Sequence, residues 1–488
     1  MSNTRLTAGT AKVDITTLDE SHVNDRLHGR ILTLCQGDVT FVIIALDAVA
    51  IGGIEEIPDD FLERLRNELK TRYNIKPEHL LLSASHTHTA PPMIREPEDL
   101  LALLSDAVGN ALNNQEAVEF GYGSGCEKRI AVNRAIKMQD GSGWAMRQCH
   151  PCPPEDEIIG LGETDPEIGI FKFSRLDGTT KAVIFNFACH PLFGLNLKAS
   201  AKYPGVAAGI IEDTLGCNAT ALFFQGAAGN INEIGYKDLN FPYYTEFNGM
   251  LLALGVLKEL PHIKCQSVKM ASSFRSMTFP RRNDIPLLVE KIRAERDKLV
   301  EDFRYNSLNL KTFLPLYMKH LISPEYPNDY SYRYLQAAAD GDEHYKELDA
   351  MNKDSLNTYL KNIRNMEKIS KLDDDIQTLL RHKKINDDSC SDHIEGEAVI
   401  LQIGDAAIIS APLELIAEIG LKLKKESPFS QTLIAAYSNG YMHYGNTPEH
   451  YASGAYEARE CFLAPEWLDI YLGNIKSMQD ELIKNRIK

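Results

Sequence analysis

No stretch of this chain is apolar for long enough to cross a bilayer. The longest, Phe41 to Ile54, carries Asp47 and two glycines and falls short of the ~20 residues that a transmembrane helix needs. The opening residues, Met1-Ser2-Asn3-Thr4-Arg5-Leu6-Thr7, lack the apolar centre of a secretory signal. The expectation is therefore a cytoplasmic protein with no membrane insertion. Positive charge is also in short supply: 52 Lys and Arg stand against 68 Asp and Glu, a net charge of −16. That balance argues against nucleic acid or anionic membrane as partners, because both repel an acidic surface. A small substrate remains open, since the local charge of a cleft can oppose the global sign. Nine cysteines, odd in number and scattered, are not the pattern of a disulfide framework. Cys149-His150-Pro151-Cys152 has no second CxxC near it and no βαβ context, so it reads as structural, neither redox dithiol nor half a zinc site. Asn218-Ala219-Thr220 is a glycosylation sequon that means nothing without secretion.

What is present is enough apolar material, 44% of residues against 25% charged, for a large buried core. At roughly 150 residues per domain the length would allow about three, but the pattern divides the chain otherwise. Residues 7–15 and 28–47 read as strands, with Gly37-Asp38 as a hairpin turn. A helix at 59–73 shows Leu62, Leu65 and Leu69 on one face. Strand 79–84, a helix at 98–113, strands at 117–123, 168–175, 181–188 and 219–225, and a helix near 205–215 follow. This alternation predicts an α/β (mixed α+β) domain. From Ile285 to His393 long charged amphipathic segments, Leu287–Phe303 and Glu343–Leu380, replace it and predict a helical insertion. Strands return at 393–402, 406–410 and 433–437, around a helix at 413–425. The division is 1–284 with 394–488 as one domain and 285–393 as the insertion.

Chemistry first shows at His86-Thr87-His88, which ends the run Leu80-Leu81-Leu82-Ser83-Ala84-Ser85. In a strand, residues i and i+2 share a face, so both imidazoles are expected to reach one point. Neutral imidazoles converging at a strand end suit a zinc site. Phe185-Asn186-Phe187-Ala188-Cys189-His190-Pro191 repeats the pattern, its proline stopping the strand so that His190 falls at a sheet edge. Phe223-Phe224-Gln225 runs into the small-residue loop Gly226 to Asn232, where backbone N–H groups can approach a ligand. Glu414, after Ser410-Ala411-Pro412, is expected in the first turn of a helix, as a dipole-favoured surface acid or as the acid of a His/His/Glu zinc set. Asn439 to Glu457 is rich in tyrosine and histidine, and by chemistry alone His443 and His450 are rival ligands.

Taken together, the motifs Gly9-Thr10-Ala11-Lys12-Val13-Asp14-Ile15-Thr16, SASHTHTAPP, AVNRA, NFACHP, FFQGAAGNIN, APLE and SNGYMHYGNTPEHYASGAYEA resemble, in order, the neutral/alkaline non-lysosomal ceramidase family. They run from residue 9 to about 465. The resemblance implies two packed mixed β-sheets flanked by helices. It also implies one Zn2+ held by His86, His190, Glu414 and Tyr444, with His88, Arg134 and Tyr456 around a scissile amide. His443 would then face away from Tyr444 along a strand. The chain departs from the family in several places. Asn232, in Gly229-Asn230-Ile231-Asn232-Glu233, stands where relatives carry a serine. Ala90-Pro91-Pro92 replaces glycines, and Lys202 replaces an acid. The secretion signal and the C-terminal immunoglobulin-like domain are expected to be missing. The substrate expected is small, soluble and capable of carrying an anionic group, met by Lys202, Asn232 and Gly229; a long-chain ceramide is not. The reading is a zinc hydrolase of an amide or related acyl bond. The alternatives are a zinc lactonase, esterase or lyase acting on a sugar-derived acid, and a non-catalytic binding protein on the same fold. A (β/α)8 barrel with HxH at a strand end does not suit the helical insertion and the lack of eight even βα units.

Overall fold

The computed structural model describes residues 5–54, 56–89, 91–147, 150–193, 198–235 and 245–487. Ala90 and Cys149, which belong to motifs noted above, lie outside them. The chain forms two compact units. The first joins residues up to Met146 with Pro153–Asn283 and Lys384 onward, and the second joins Arg147–Cys152 with Asp284–Lys383. No helix among the described residues is long and apolar enough to cross a membrane.

The first unit is built on two mixed sheets. In spatial order the larger runs Thr220–Gln225, Thr180–Phe187, Glu167–Arg175, Glu116–Cys126, Thr7–Asp14, His28–Gln36, Val39–Leu46 and Leu80–Ala84. Its neighbours are antiparallel except for the outermost pair at each edge, which is parallel. The smaller runs Met270–Pro280, His393–Ile403, Ala406–Ser410 and Gln431–Ala435, the last pair parallel. The hairpin at Gly37-Asp38 forms with Gly37 at φ 62°, in the left-handed region.

Strand alternation explains the layering. Phe41, Ile43 and Leu81 point to the smaller sheet and pack with its Val399, Leu401, Ile408 and Leu433. Val42, Ile44, Leu80 and Leu82 point the other way, onto Leu65 and Leu69 of helix Phe61–Tyr73 and Leu104 and Val108 of helix Pro97–Asn113. Further along that face, Val183, Phe185 and Phe223 lie under Ala207 and Ile211 of helix Lys202–Leu215 and Leu252 and Val256 of helix Thr245–Glu259. The outer face of the smaller sheet, Ile400, Ile409 and Ile434, is covered by Ile419 and Leu423 of helix Ala417–Glu426 and by Trp467 and Tyr471 of helix Trp467–Ile487. Strands covered on both faces, such as Leu80–Ala84, Thr180–Phe187 and Thr220–Gln225, are buried almost throughout, which is why they read as continuous apolar runs. The parallel edge strands end where loops can gather, and Leu80–Ala84, Thr180–Phe187 and Thr220–Gln225 all lead into the motifs described above.

In the second unit, Ile285, Val289 and Ile292 of helix Ile285–Glu301 pack on Leu372, Ile376 and Leu379 of the 45-residue helix His344–Asp388. Phe313, from helix Leu310–Ile322, stacks on Tyr359 at 4.5 Å between ring centroids.

The structure corrects the sequence reading at Glu414, which is not in a helical turn. The helix begins at Ala417, and Glu414–Leu415 is a short strand parallel to Tyr444–Gly445. The Glu414 N–H donates to the His443 carbonyl at 2.9 Å and the Ile416 N–H to the Gly445 carbonyl at 3.3 Å. An α-turn at Glu414 would forfeit both bonds.

Gly9, on the strand Thr7–Asp14, tests the fit of helix Pro97–Asn113 to its sheet. A Cβ there would lie 1.8 Å from the Ala111 carbonyl oxygen, a backbone atom that cannot swing away. Gly9→Ala is expected to destabilise the protein by at least the ~1–3 kcal/mol typical of overpacking. A denaturation midpoint equal to wild type would mean that the helix does not sit this close.

Candidate functional site

The strand Leu80–Ala84 stops two residues short of His86. His86 adopts φ 63°, in the left-handed region, so His86 and His88 do not meet by strand alternation as the sequence suggested. The turn is held by the Ser85 N–H on Leu46 O and the His86 N–H on Ala48 O, both 2.9 Å, and by the Thr87 hydroxyl on Ser200 O at 2.6 Å. A non-glycine residue kept in this region costs of order 1–3 kcal/mol and persists where the surroundings enforce it. The turn brings the His86 and His88 Nε2 atoms to 2.9 Å. His86 is buried, whereas His88 is open to solvent.

His190 follows the strand Thr180–Phe187, with its N–H on Ile231 O at 3.0 Å. Its Nδ1 lies 2.7 Å from Ala228 O, and the His86 Nδ1 lies 2.8 Å from Val49 O. A ring nitrogen facing a carbonyl donates to it, which turns both Nε2 atoms inward. They face the Glu414 Oε2, at 3.4 Å from His86 and 3.2 Å from His190. Burial pushes the His190 pKa down to about 4, which disfavours positive charge on this imidazole. Two imidazole nitrogens, oriented by backbone carbonyls, and one carboxylate oxygen are atoms that could hold a divalent metal ion. His86, His88 and His190 also bring ligand atoms within 4.8 Å of one another.

Beside this group lies Arg134, buried, with every contact directed. Its Nε donates to Glu457 at 2.8 Å, Nη1 to the Asn232 Oδ1 at 3.3 Å, and Nη2 to Gly229 O at 2.6 Å and to the Tyr444 hydroxyl at 3.0 Å. The guanidinium carbon stands 5.2 Å from the Tyr456 ring centre and 5.7 Å from that of Tyr444. Tyr444 is bound in register to Glu414 by the short parallel strands. At Gly229 a Cβ would come within 2.7 Å of the Glu414 carbonyl oxygen, so the glycine allows the two loops to touch. The structure therefore gathers His86, His88, His190 and Glu414 at one point. Arg134, Tyr444, Tyr456, Asn232 and Gly229 gather around the guanidinium.

Lys202 is a buried residue opening the helix Lys202–Leu215, and the carboxylates acting on its charge, Glu233 and Asp25, are the protein's own. His443 packs edge-on to Phe462 at 4.5 Å, and the His450 Nδ1 meets the Thr447 Oγ1 at 3.0 Å in the helix Pro448–Ser453.

Sequence reasoning missed two residues. The Tyr437 ring stacks on His86 at 4.1 Å, with its hydroxyl donating to the Glu414 Oε2 at 3.3 Å, and the Tyr441 hydroxyl donates to the Glu414 Oε1. No period could have shown them, because Tyr437, Asn439 and His443 all have positive φ, near 55°, 55° and 58°.

No protein-family model matches the sequence, and no curated protein sequence does. Among solved structures, the neutral ceramidase from Pseudomonas aeruginosa is similar with a TM-score of 0.62 at 14% identity, over 99% of this chain and 75% of that one. A ceramidase complexed with C2 gives 0.61 and 14%, over 99% and 76%. At such identity the likeness establishes the fold: this is a mixed α/β protein with a ceramidase-like architecture.

Glu233 closes the loop that follows His190. Its Oε2 accepts the N–H groups of Leu192 and Phe193 at 2.7 and 2.6 Å, and its Oε1 accepts from Asn248 at 2.7 Å. Burial raises its pKa to about 7 against these bonds. A raised acid holds its proton in the folded state between about pH 4.5 and 7, while the unfolded chain has released it. Stability therefore falls as pH rises through this window. Glu233→Gln, with the Asn248 amide flipped, keeps the same bonds without the charge. The variant is expected to gain on wild type between pH 5 and 8, by on the order of 1–3 kcal/mol. Parallel denaturation curves at the two pH values would show that Glu233 does not carry this titration.

Proposed function

We propose that the protein is a zinc-dependent hydrolase that cleaves an amide or related acyl bond in a small, soluble substrate. What supports the reading is the meeting of the His86 Nε2, the His190 Nε2 and the Glu414 Oε2, with both imidazoles oriented through Nδ1 by backbone carbonyls. His86, His190, Glu414 and Tyr444 would hold the ion. Bound zinc lowers the pKa of a water toward ~7 and polarises a carbonyl.

The chain's own residues would do the rest. His88, open to solvent and beside His86, takes a proton from the attacking water and returns it to the leaving amine. The Arg134 bonds to Glu457, Asn232, Gly229 and Tyr444 leave one Nη1 hydrogen for the charge that develops on the carbonyl oxygen. The Tyr456 hydroxyl is the second donor, as in an oxyanion hole. Because the nucleophile is water, Asn232 in place of the serine found in the family that the chain resembles does not remove the reaction.

Elemental analysis of wild type, His86→Ala and His190→Ala tests the centre. Wild type should hold about one zinc per chain and both variants much less; equal zinc in all three would remove the assignment. His88→Ala should retain the metal and lose about 10²–10⁴-fold in turnover. The substrate panel is short N-acyl amines, matched esters and lactones, and long-chain ceramide in detergent micelles. Fast cleavage of the ceramide would overturn the soluble-substrate part of the proposal, and hydrolysis of esters alone would move the activity to an esterase. A zinc-loaded protein inert on every class would point to a binding role.

A further inference from the structure

The two carboxylate oxygens of Glu414 have different surroundings. Oε2 faces the His86 and His190 Nε2 atoms at 3.4 and 3.2 Å and accepts the Tyr437 hydroxyl at 3.3 Å. Oε1 accepts the Tyr441 hydroxyl. Both phenol rings lie roughly parallel to the His86 imidazole, Tyr437 at 4.1 Å and 28° and Tyr441 at 6.4 Å and 29°. One histidine ligand and one carboxylate ligand are thus braced by the same two side chains.

The segment that carries these tyrosines is fastened to the strand that delivers His86. Asn439 does this with its side-chain amide, which fills the place of a ninth strand at the open edge of the large sheet. Its Oδ1 accepts the Leu82 N–H at 2.8 Å, and its Nδ2 donates to Leu80 O at 2.9 Å and to Glu397 at 2.8 Å. Its own N–H donates to Leu82 O at 2.8 Å, while the Ala84 N–H donates to Tyr437 O at 3.1 Å. Arg66 grips both oxygens of Glu397, at 2.8 and 2.5 Å. On the far side a Cβ at Gly53 would come within 2.7 Å of the Tyr441 ring, so the backbone there backs the phenol. The spacing of both hydroxyls from Glu414 is therefore fixed through the Leu80–Ala84 strand.

We infer that Tyr437 and Tyr441 are positioning residues for the metal, a phenol clamp that holds Glu414 so that Oε2 alone is offered to the ion. The clamp rests on the proposed zinc centre and adds to it a defined carboxylate mode: with Oε1 taken by Tyr441, Glu414 ligates through one oxygen. Hydrogen-bond partners of metal ligands contribute typically 10–100-fold in metal affinity.

The test is Tyr441→Phe in the full chain, which removes a hydroxyl and leaves the ring. Zinc affinity is read by competition with a chromophoric chelator, and the cobalt(II)-substituted protein by its visible spectrum. The zinc dissociation constant should rise about tenfold or more. The cobalt bands should weaken, because freeing Oε1 lets the carboxylate bind through both oxygens and raises the coordination number. Tyr437→Phe, which keeps its stack on His86, should also weaken zinc but alter the cobalt spectrum less; it carries the affinity comparison if Tyr441→Phe does not fold. A wild-type protein that takes up no zinc would dispose of the metal centre itself. A wild type that binds one zinc, beside phenylalanine variants of unchanged affinity and spectrum, would leave the centre standing and overturn the clamp.

Discussion

Everything at this site depends on one carboxylate being held against two imidazoles whose other ring nitrogens are fixed by backbone carbonyls. Glu414 is buried, its Oε2 faces two ring nitrogens, and a buried carboxylate is unfavourable without a positive charge or hydrogen-bond donors beside it. The surrounding structure is arranged to prevent its escape. The Glu414 backbone is locked into a parallel pair with Tyr444. Gly229 packs against the Glu414 carbonyl, and the Gly229 N–H is bound to Leu415 O at 2.8 Å. The two histidines are fixed by carbonyls on loops that belong to different strands, Val49 and Ala228. None of the three side chains can turn away without breaking a bond in a separate element, which is how a protein would keep the proposed metal site formed at the expense of local stability.

The architecture was legible because its physics is local and repeated. Strands buried on both faces give continuous apolar runs such as Leu80-Leu81-Leu82 and Phe185-Asn186-Phe187, and amphipathic helices such as Phe61–Tyr73 show Leu65 and Leu69 on one face. His86 and His190 could be found for the same reason, since each follows such a run. The details of the site were not legible. The His86 turn is left-handed, so the reason given for two histidines meeting was wrong although they do meet. Glu414 looked helical because Ala417–Glu426 follows at once; only Tyr444, far along the chain, supplies the strand partner that makes it extended. Tyr437 and Tyr441 were invisible because left-handed residues erase any period between them. Pairings between distant segments decide each of these cases, and a single sequence does not display them.

Lys202 shows how a substitution read at one position can take its meaning from another. Read alone, a lysine where relatives have an acid suggests a receptor for an anionic substrate. In the fold its charge meets Glu233 and Asp25, and Asp25 also accepts the Ala201 N–H at 2.7 Å. Glu233 is the group that ties down Leu192 and Phe193 behind His190. A cation nearby offsets part of the cost of burying that carboxylate, so the lysine fits a role in the wall of the site at least as well as one in recognition.

Arg134 and Asn232 show the same dependence from the other direction. A buried guanidinium is tolerated only when its donors are matched and its charge is paired, and Glu457 supplies the charge while Gly229, Tyr444 and Asn232 supply acceptors. Asn232 does more than accept: its Nδ2 donates to Met146 O at 3.2 Å, so it spans the guanidinium and the chain beyond Ala145. A serine at this position is too short to reach both. Asn232, where the family that the chain resembles carries a serine, is thus a brace for the arginine, and the geometry it braces is a planar fork. Lysine, a point charge on a flexible stem, has one nitrogen and could not reach Glu457, Gly229, Tyr444 and Asn232 as the separate nitrogens of the fork do. The arginine is therefore as firmly built into this site as the residues of the proposed metal centre.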